Sequence, residues 1–231
     1  MMKIKIIEEI KNNENTEYAN HHYKFFKAFK GGYGEGDKFY GLKVPKQREI
    51  AKKFYKDITN EELKELIKDE YHEVRMTALF IMVLKSKNEM SEMVKIYLDN
   101  LKYVNNWDLV DLSASYLLGK YAYEEGRSDI LYELSKTHHL WSERVSVVAS
   151  HYFIKRGDFE IILKLSEHFL THKHDLMHKA CGWMLREVGK INEKPLLDFL
   201  DKHYKKMPRT MLRYSIERLS EDKKAHYMKK D

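Results

Sequence analysis

A single cysteine, Cys181, occurs in 231 residues, so no disulfide can form within the chain. Three prolines and ten glycines are few for this length and leave room for long uninterrupted helices. No apolar run approaches the roughly 20 residues that span a bilayer. The opening Met1-Met-Lys-Ile-Lys-Ile-Ile-Glu-Glu-Ile10 has acid where a signal peptide would place its small-residue cleavage site. A cytoplasmic protein that makes no membrane contact is expected. No stretch alternates in polarity long enough to argue for a sheet. What is present is 43% apolar and 13% aromatic residues, which argues against disorder. The length suits one large domain or a repeat array with a continuous core.

The net charge of +6 is unevenly placed. Residues 1–135 hold 22 Lys and Arg against 23 Asp and Glu, a balance of −1, and residues 136–231 hold 20 against 13, or +7. An excess confined to one half suits a polyanion partner, although a solvated lysine-rich surface would look the same.

Residues 2–12 and 16–29 read as amphipathic helices, with Thr16 able to cap the second. Four of the ten glycines then fall between Gly31 and Gly36, so this stretch is a loop. It lacks the Gly-Lys-Ser/Thr ending of a phosphate-binding loop and the spacing of a dinucleotide fingerprint. Pro45 suits a first helical turn, and Thr59-Asn-Glu-Glu62 is a capping box. From there long helices are expected to begin near His72, Trp107, Trp141, Asp175 and Pro208, in steps of 35, 34, 34 and 33 residues. Shorter helices are expected near 90–98, 127–135, 159–169 and 194–206. Helix pairs at a period near 34 are an α-solenoid signature, and the absence of the tetratricopeptide Trp-Leu-Gly-Tyr pattern favours HEAT-like repeats. The expected fold is therefore all-α, a solenoid with a concave basic groove. It forms a single domain over 1–231: N-terminal helices 1–30, a glycine-rich loop 31–41, repeats over about 44–219 and a tail 220–231.

Matching offsets on the long helices carry the candidate chemistry. Asn106 can cap a helix on which Trp107 and Asp111, four apart, project side by side. Leu109, Leu112 and Tyr116 fall on another, apolar face. Arg75 and Arg144 follow His72 and Trp141 by three, and Lys179, Trp183, Arg186 and Lys190 form one continuous face. Arg209 and Arg213 are four apart. Cations neutralise phosphates, and indoles stack on bases or lie against sugars. Each feature has a plainer reading. Asp108 suits the helix dipole, Asp111 can do the same or pair with an arginine, Trp107 and Trp183 can be core, and Arg75 can be an internal pair. His168, His172, His174 and His178 cluster without an HExxH motif or a cysteine ligand, so they read as a polar linker and no metal is expected. Cys181 reads as a small core residue.

Five segments together resemble the AlkD-type DNA alkylation-repair glycosylases, a family of HEAT-like repeat proteins. They are Tyr33-Gly-Glu-Gly-Asp-Lys-Phe-Tyr-Gly-Leu-Lys-Val-Pro45, Asn106-Trp-Asp-Leu-Val-Asp111, Trp141-Ser-Glu-Arg144, Lys179-Ala-Cys-Gly-Trp-Met-Leu-Arg186 and Met207-Pro-Arg-Thr-Met-Leu-Arg-Tyr214. The resemblance implies that Trp107 and Asp111 flank a lesion, that Trp183 also faces it, and that Arg144 grips the backbone. Arg186 matches the arginine of the family's Gly-Trp-x-Leu-Arg segment. Lys179, Lys190, Arg209 and Arg213 are expected to add DNA contacts. The implied reaction is hydrolysis of the N-glycosidic bond of a cationic N3- or N7-alkylpurine in duplex DNA, by a monomer with no cofactor. The alternatives are a DNA-binding HEAT-repeat protein without chemistry and a protein-interaction scaffold. Two departures from the family are the glycine-rich loop at 31–36, where better-known members carry a short helix, and Tyr152, where some relatives place a basic residue.

Overall fold

The computed structural model describes residues 1–229, and every regular element among them is helical. The chain divides into two compact units, Met1–Ser113 and Ala114–Asp231. The first unit holds α1 (Met2–Lys11), α2 (Thr16–Phe25), α3 (Val44–Phe54), α4 (Asn60–Leu66), α5 (His72–Lys85), α6 (Met90–Asp99) and α7 (Trp107–Ser113). The second holds α8 (Lys120–Glu124), α9 (Asp129–Leu134), α10 (Leu140–Ala149), α11 (His151–Ile154), α12 (Glu160–His168), α13 (Asp175–Ile191), α14 (Glu193–His203), α15 (Arg209–Ile216) and α16 (Glu221–Met228). The long helices thus begin within a residue of the expected positions, and the short ones fall between them. The tail expected at 220–231 carries α16, and its last two positions lie outside the described residues.

In the first unit α5 is the pivot, packed by α3, α7, α1 and α4. Its residues from His72 to Met82 are all buried, charged ones included, so it is enclosed on all sides. Apolar residues around it, such as Ile6, Ile10, Ile50, Leu63 and Leu66, exclude water completely. The capping box at Thr59 forms as expected and opens α4. The cap of α2 is Asn15 rather than Thr16. Asn15 has the extended backbone a cap needs, and its side chain accepts from Tyr18 N–H at 2.9 Å. The helix stops at Phe25, short of 29, because Lys27 turns left-handed at φ 50.

In the second unit α13 plays the pivotal part, packed by α15, α14, α10 and α12. The approach to α15 is close because Gly182 has no side chain: a Cβ there would lie 2.5 Å from the Met211 carbonyl oxygen. This unit opens with a π-helical turn, Ser115–Gly119, in which Gly119 N–H donates to Ala114 at 2.8 Å. The wider turn shifts the apolar register by one residue. Leu117 and Leu118 are buried, whereas Leu112 is half-buried and Tyr116, expected on the apolar face, is 54% exposed.

Candidate functional site

Residues 29–36 hold no helix and fold back on the end of α2. Gly32 and Gly34 permit this: their Cβ atoms would sit 1.9 Å from the Lys27 carbonyl oxygen and 2.4 Å from that of Phe26. The tight turn delivers Asp37 to the buried end of α5. There Asp37 accepts from Arg75 Nη2 at 2.7 Å and from Asn105 Nδ2 at 3.0 Å, and its other oxygen lies 3.0 Å from His72 Nδ1. The opposite ring nitrogen of His72 lies 2.8 Å from Asp108 Oδ2. The result is a linear chain, Arg75–Asp37–His72–Asp108, with two cations and two carboxylates when His72 is protonated.

Burial opposes charge on His72, but the Asp108 carboxylate and the hydrogen bonds that the ring donates to Asp108 and Asp37 outweigh it and raise its pKa to about 9. Burial also opposes charge on Asp37, where the His72 hydrogen bond and the Arg75 charge prevail and hold the carboxyl below its usual range. Phe26 stacks on the His72 ring at 4.9 Å. The next residue of α5, Glu73, accepts from the backbone N–H groups of Tyr40, Gly41 and Leu42. The loop after α2 is thereby fixed at Asp37 and again at residues 40–42.

This chain positions the start of α7. Asn106 is fully buried, and its side chain accepts from Trp107 N–H at 2.9 Å. Asp108 was expected to serve the helix dipole alone; it also anchors α7 to α5 through His72. Trp107 and Asp111 are both half-buried on this anchored helix. The Trp107 indole meets Phe25 edge-on at 5.8 Å and lies 5.6 Å from Phe26, so neither a purely solvated nor a fully sealed position describes it. Arg75, a possible phosphate contact by its spacing, is 3% exposed and belongs to the internal pairing.

The other expected residues lie in the second unit. Arg144 is 4% exposed, and its Nη1 donates to the Leu176 carbonyl at 2.5 Å, bracing the first turn of α13. Trp183 is half-buried, donates to Glu187 at 3.2 Å and lies 6.0 Å from the His151 ring. Burial and the nearby Lys155 lower the His151 pKa. The cations of the α13 face have acidic neighbours: Lys179 with Asp175 at 2.8 Å, Lys190 with Glu187 at 2.7 Å, and Arg186 with Glu217. Arg209 and Arg213 are exposed on α15, where Arg209 also reaches the Met228 carbonyl. The histidine cluster serves as linker structure. His174 accepts from Leu176 N–H at the start of α13, His178 bonds the His172 carbonyl, and His172 reaches Glu143. Tyr152 is committed locally, its hydroxyl donating to Glu124 at 2.8 Å beneath the Arg156 guanidinium.

The family described as DNA alkylation repair enzyme matches residues 6–219, and this chain belongs to it. Two solved structures share the fold. A predicted DNA alkylation repair enzyme from Enterococcus faecalis superposes with a TM-score of 0.75 at 17% identity, over 90% of this chain and 97% of that one. AlkD2 from Streptococcus mutans gives 0.55 at 17% identity, over 88% and 98%. No curated protein matches the sequence. No helix among the described residues is long and apolar enough to cross a membrane.

Proposed function

We propose that this protein is a monomeric cytoplasmic DNA glycosylase that hydrolyses the N-glycosidic bond of cationic N3- or N7-alkylpurines in duplex DNA. The observation that carries this reading is the Trp107–Asp111 pair, half-buried on a helix whose first turn is clamped through Asp108 to His72. A cationic alkylpurine leaves readily, so a strong general acid is unnecessary. The sugar becomes oxocarbenium-like as the bond breaks. A fixed carboxylate at ~4 Å, with an effective dielectric near 20, stabilises that charge by about 4 kcal/mol. Realised only in the transition state, this is roughly three decades in rate. Asp111 supplies that charge and orients the water, and Trp107 lies against the sugar.

In this reading Lys179, Arg186, Lys190, Arg209 and Arg213 contact phosphates, and Arg144 braces the helix that presents the first three. Exchanging the carboxylate partner for a phosphate costs little where both side chains of the pair are exposed, as those of Lys179 and Asp175 are, because such surface pairs are worth at most about 1 kcal/mol. The test is release of free base from N3- and N7-methylated duplex DNA, followed by chromatography. Release by the native protein, and its loss in Asp111→Asn with an unchanged circular dichroism spectrum and melting curve, are the expected results. A native protein that releases no base from either substrate would overturn the proposal.

A further inference from the structure

α2 is unlike every long helix in the chain: none of its ten residues is buried. Its exposed side chains are nonetheless aromatic. Tyr18, Tyr23 and Phe25 are 37%, 44% and 52% exposed, and Phe29 in the following turn is 43% exposed. Tyr18, His21 and Phe25 recur at helical spacing along about 10 Å of one face. His21 stacks on Phe25 at 5.8 Å with the ring planes 18° apart, and Phe25 in turn meets Trp107. Exposed aromatics that the core does not use mark an interaction surface.

Charge identifies the partner. Residues 18–34 contain three lysines and two histidines but no aspartate or glutamate. Lys24, Lys27 and Lys30 are exposed, and none of them makes an ion pair among the described residues. This differs from α13, whose cations have acidic neighbours. The nearest acid in the loop, Glu35, is occupied in accepting from Gly31 N–H at 2.7 Å. Rings open to solvent, interleaved with unopposed ammonium groups, fit a strand whose bases are unpaired and whose phosphates run alongside. An intact duplex hides the base faces that such rings need.

We propose that the outer face of α2 and the turn after it form a stacking platform for an unpaired DNA strand. The platform is continuous with Trp107 and does not depend on base release. The experiment compares anisotropy titrations of a labelled oligothymidylate and of a duplex of equal length. It uses the native protein, the double variant Phe25→Ser/Phe29→Ser and the triple variant Lys24→Gln/Lys27→Gln/Lys30→Gln. The native protein should bind the single strand more tightly than the duplex. The serine variant should lose about tenfold or more on the single strand and much less on the duplex. The glutamine variant should reduce the logarithmic salt slope for the single strand by about 2. Because every substituted side chain is exposed, both variants should keep the native melting curve.

Equal or weaker binding of the single strand, or serine substitutions that leave its affinity unchanged, would overturn the proposal. So would a concentration-dependent dimer in sedimentation that the serine variant abolishes, since the face would then belong to a second copy of the chain. Base release from methylated duplex, measured in parallel, separates this inference from the proposed function: intact release with no strand preference defeats only the platform, and strand preference without release defeats only the glycosylase.

Discussion

Replacing Asp108 by Asn should change how stability depends on pH, more than it changes stability at any one pH. In the native chain His72 holds its proton more firmly folded than unfolded, with a pKa of about 9 against an ordinary 6.5. Its contribution is therefore complete below about pH 6.5 and is lost as pH rises through about 9. A difference of this size amounts to about 3 kcal/mol between about pH 6 and pH 9. Asp108→Asn leaves Arg75 and His72 sharing the single carboxylate of Asp37, which strands a positive charge in the interior. Near pH 6 that should cost about 3–5 kcal/mol. Near pH 9 native His72 has given up half of its proton and the variant's more, so the gap should close to about 1 kcal/mol. Urea midpoints and slopes measured at several pH values give both quantities. An equal loss at both ends of the range would show that His72 does not carry a proton in the folded chain, and would refute the account of the buried quartet.

Gly182→Ala should drive α13 and α15 apart, because the new Cβ meets the Met211 carbonyl oxygen and Tyr214 Cβ at 2.5 Å. A loss of about 1–3 kcal/mol is expected, read as a lower melting temperature; an unchanged one would mean the two helices part freely. The Cys181 thiol is buried and pushed up to about 12, despite the opposing Arg144 charge. Labelling by a disulfide reagent near pH 8 should therefore proceed only as fast as the protein unfolds, and prompt labelling in native buffer would contradict the sealed position.

Periodicity made the helices legible. Apolar spacing and the near-34-residue step located the starts of α5, α7, α10, α13 and α15, because burial of one face per helix leaves its mark on every turn. The pairing of charges across sequence left no such mark. Asp37, His72 and Asp108 are 35 and 36 residues apart, and nothing local distinguishes an acid that serves a helix dipole from one that also grips a buried imidazole. Arg75 and Arg144 illustrate the same limit from the other sign: spacing put them on the track of candidate cations, and packing turned both inward. The π-turn after α7 was hidden because one extra residue per turn changes no residue type. The openness of α2 was equally hidden: the amphipathic pattern of 16–29 implies one buried face, yet four of the six Tyr and Phe side chains within 18–34 face water.

The quartet has a bearing on descent as well as on stability. Its members come from a loop, a long helix and the first turn of another, and their charges cancel only as a set. A lineage that lost the carboxylate at 37 or 108 alone would keep an unbalanced cation under α7, while one that replaced His72 together with an acid would not. Positions 37, 72, 75 and 108 should therefore be inherited, or abandoned, as a group, and the glycines at 32 and 34 should go with them because they allow the loop to reach.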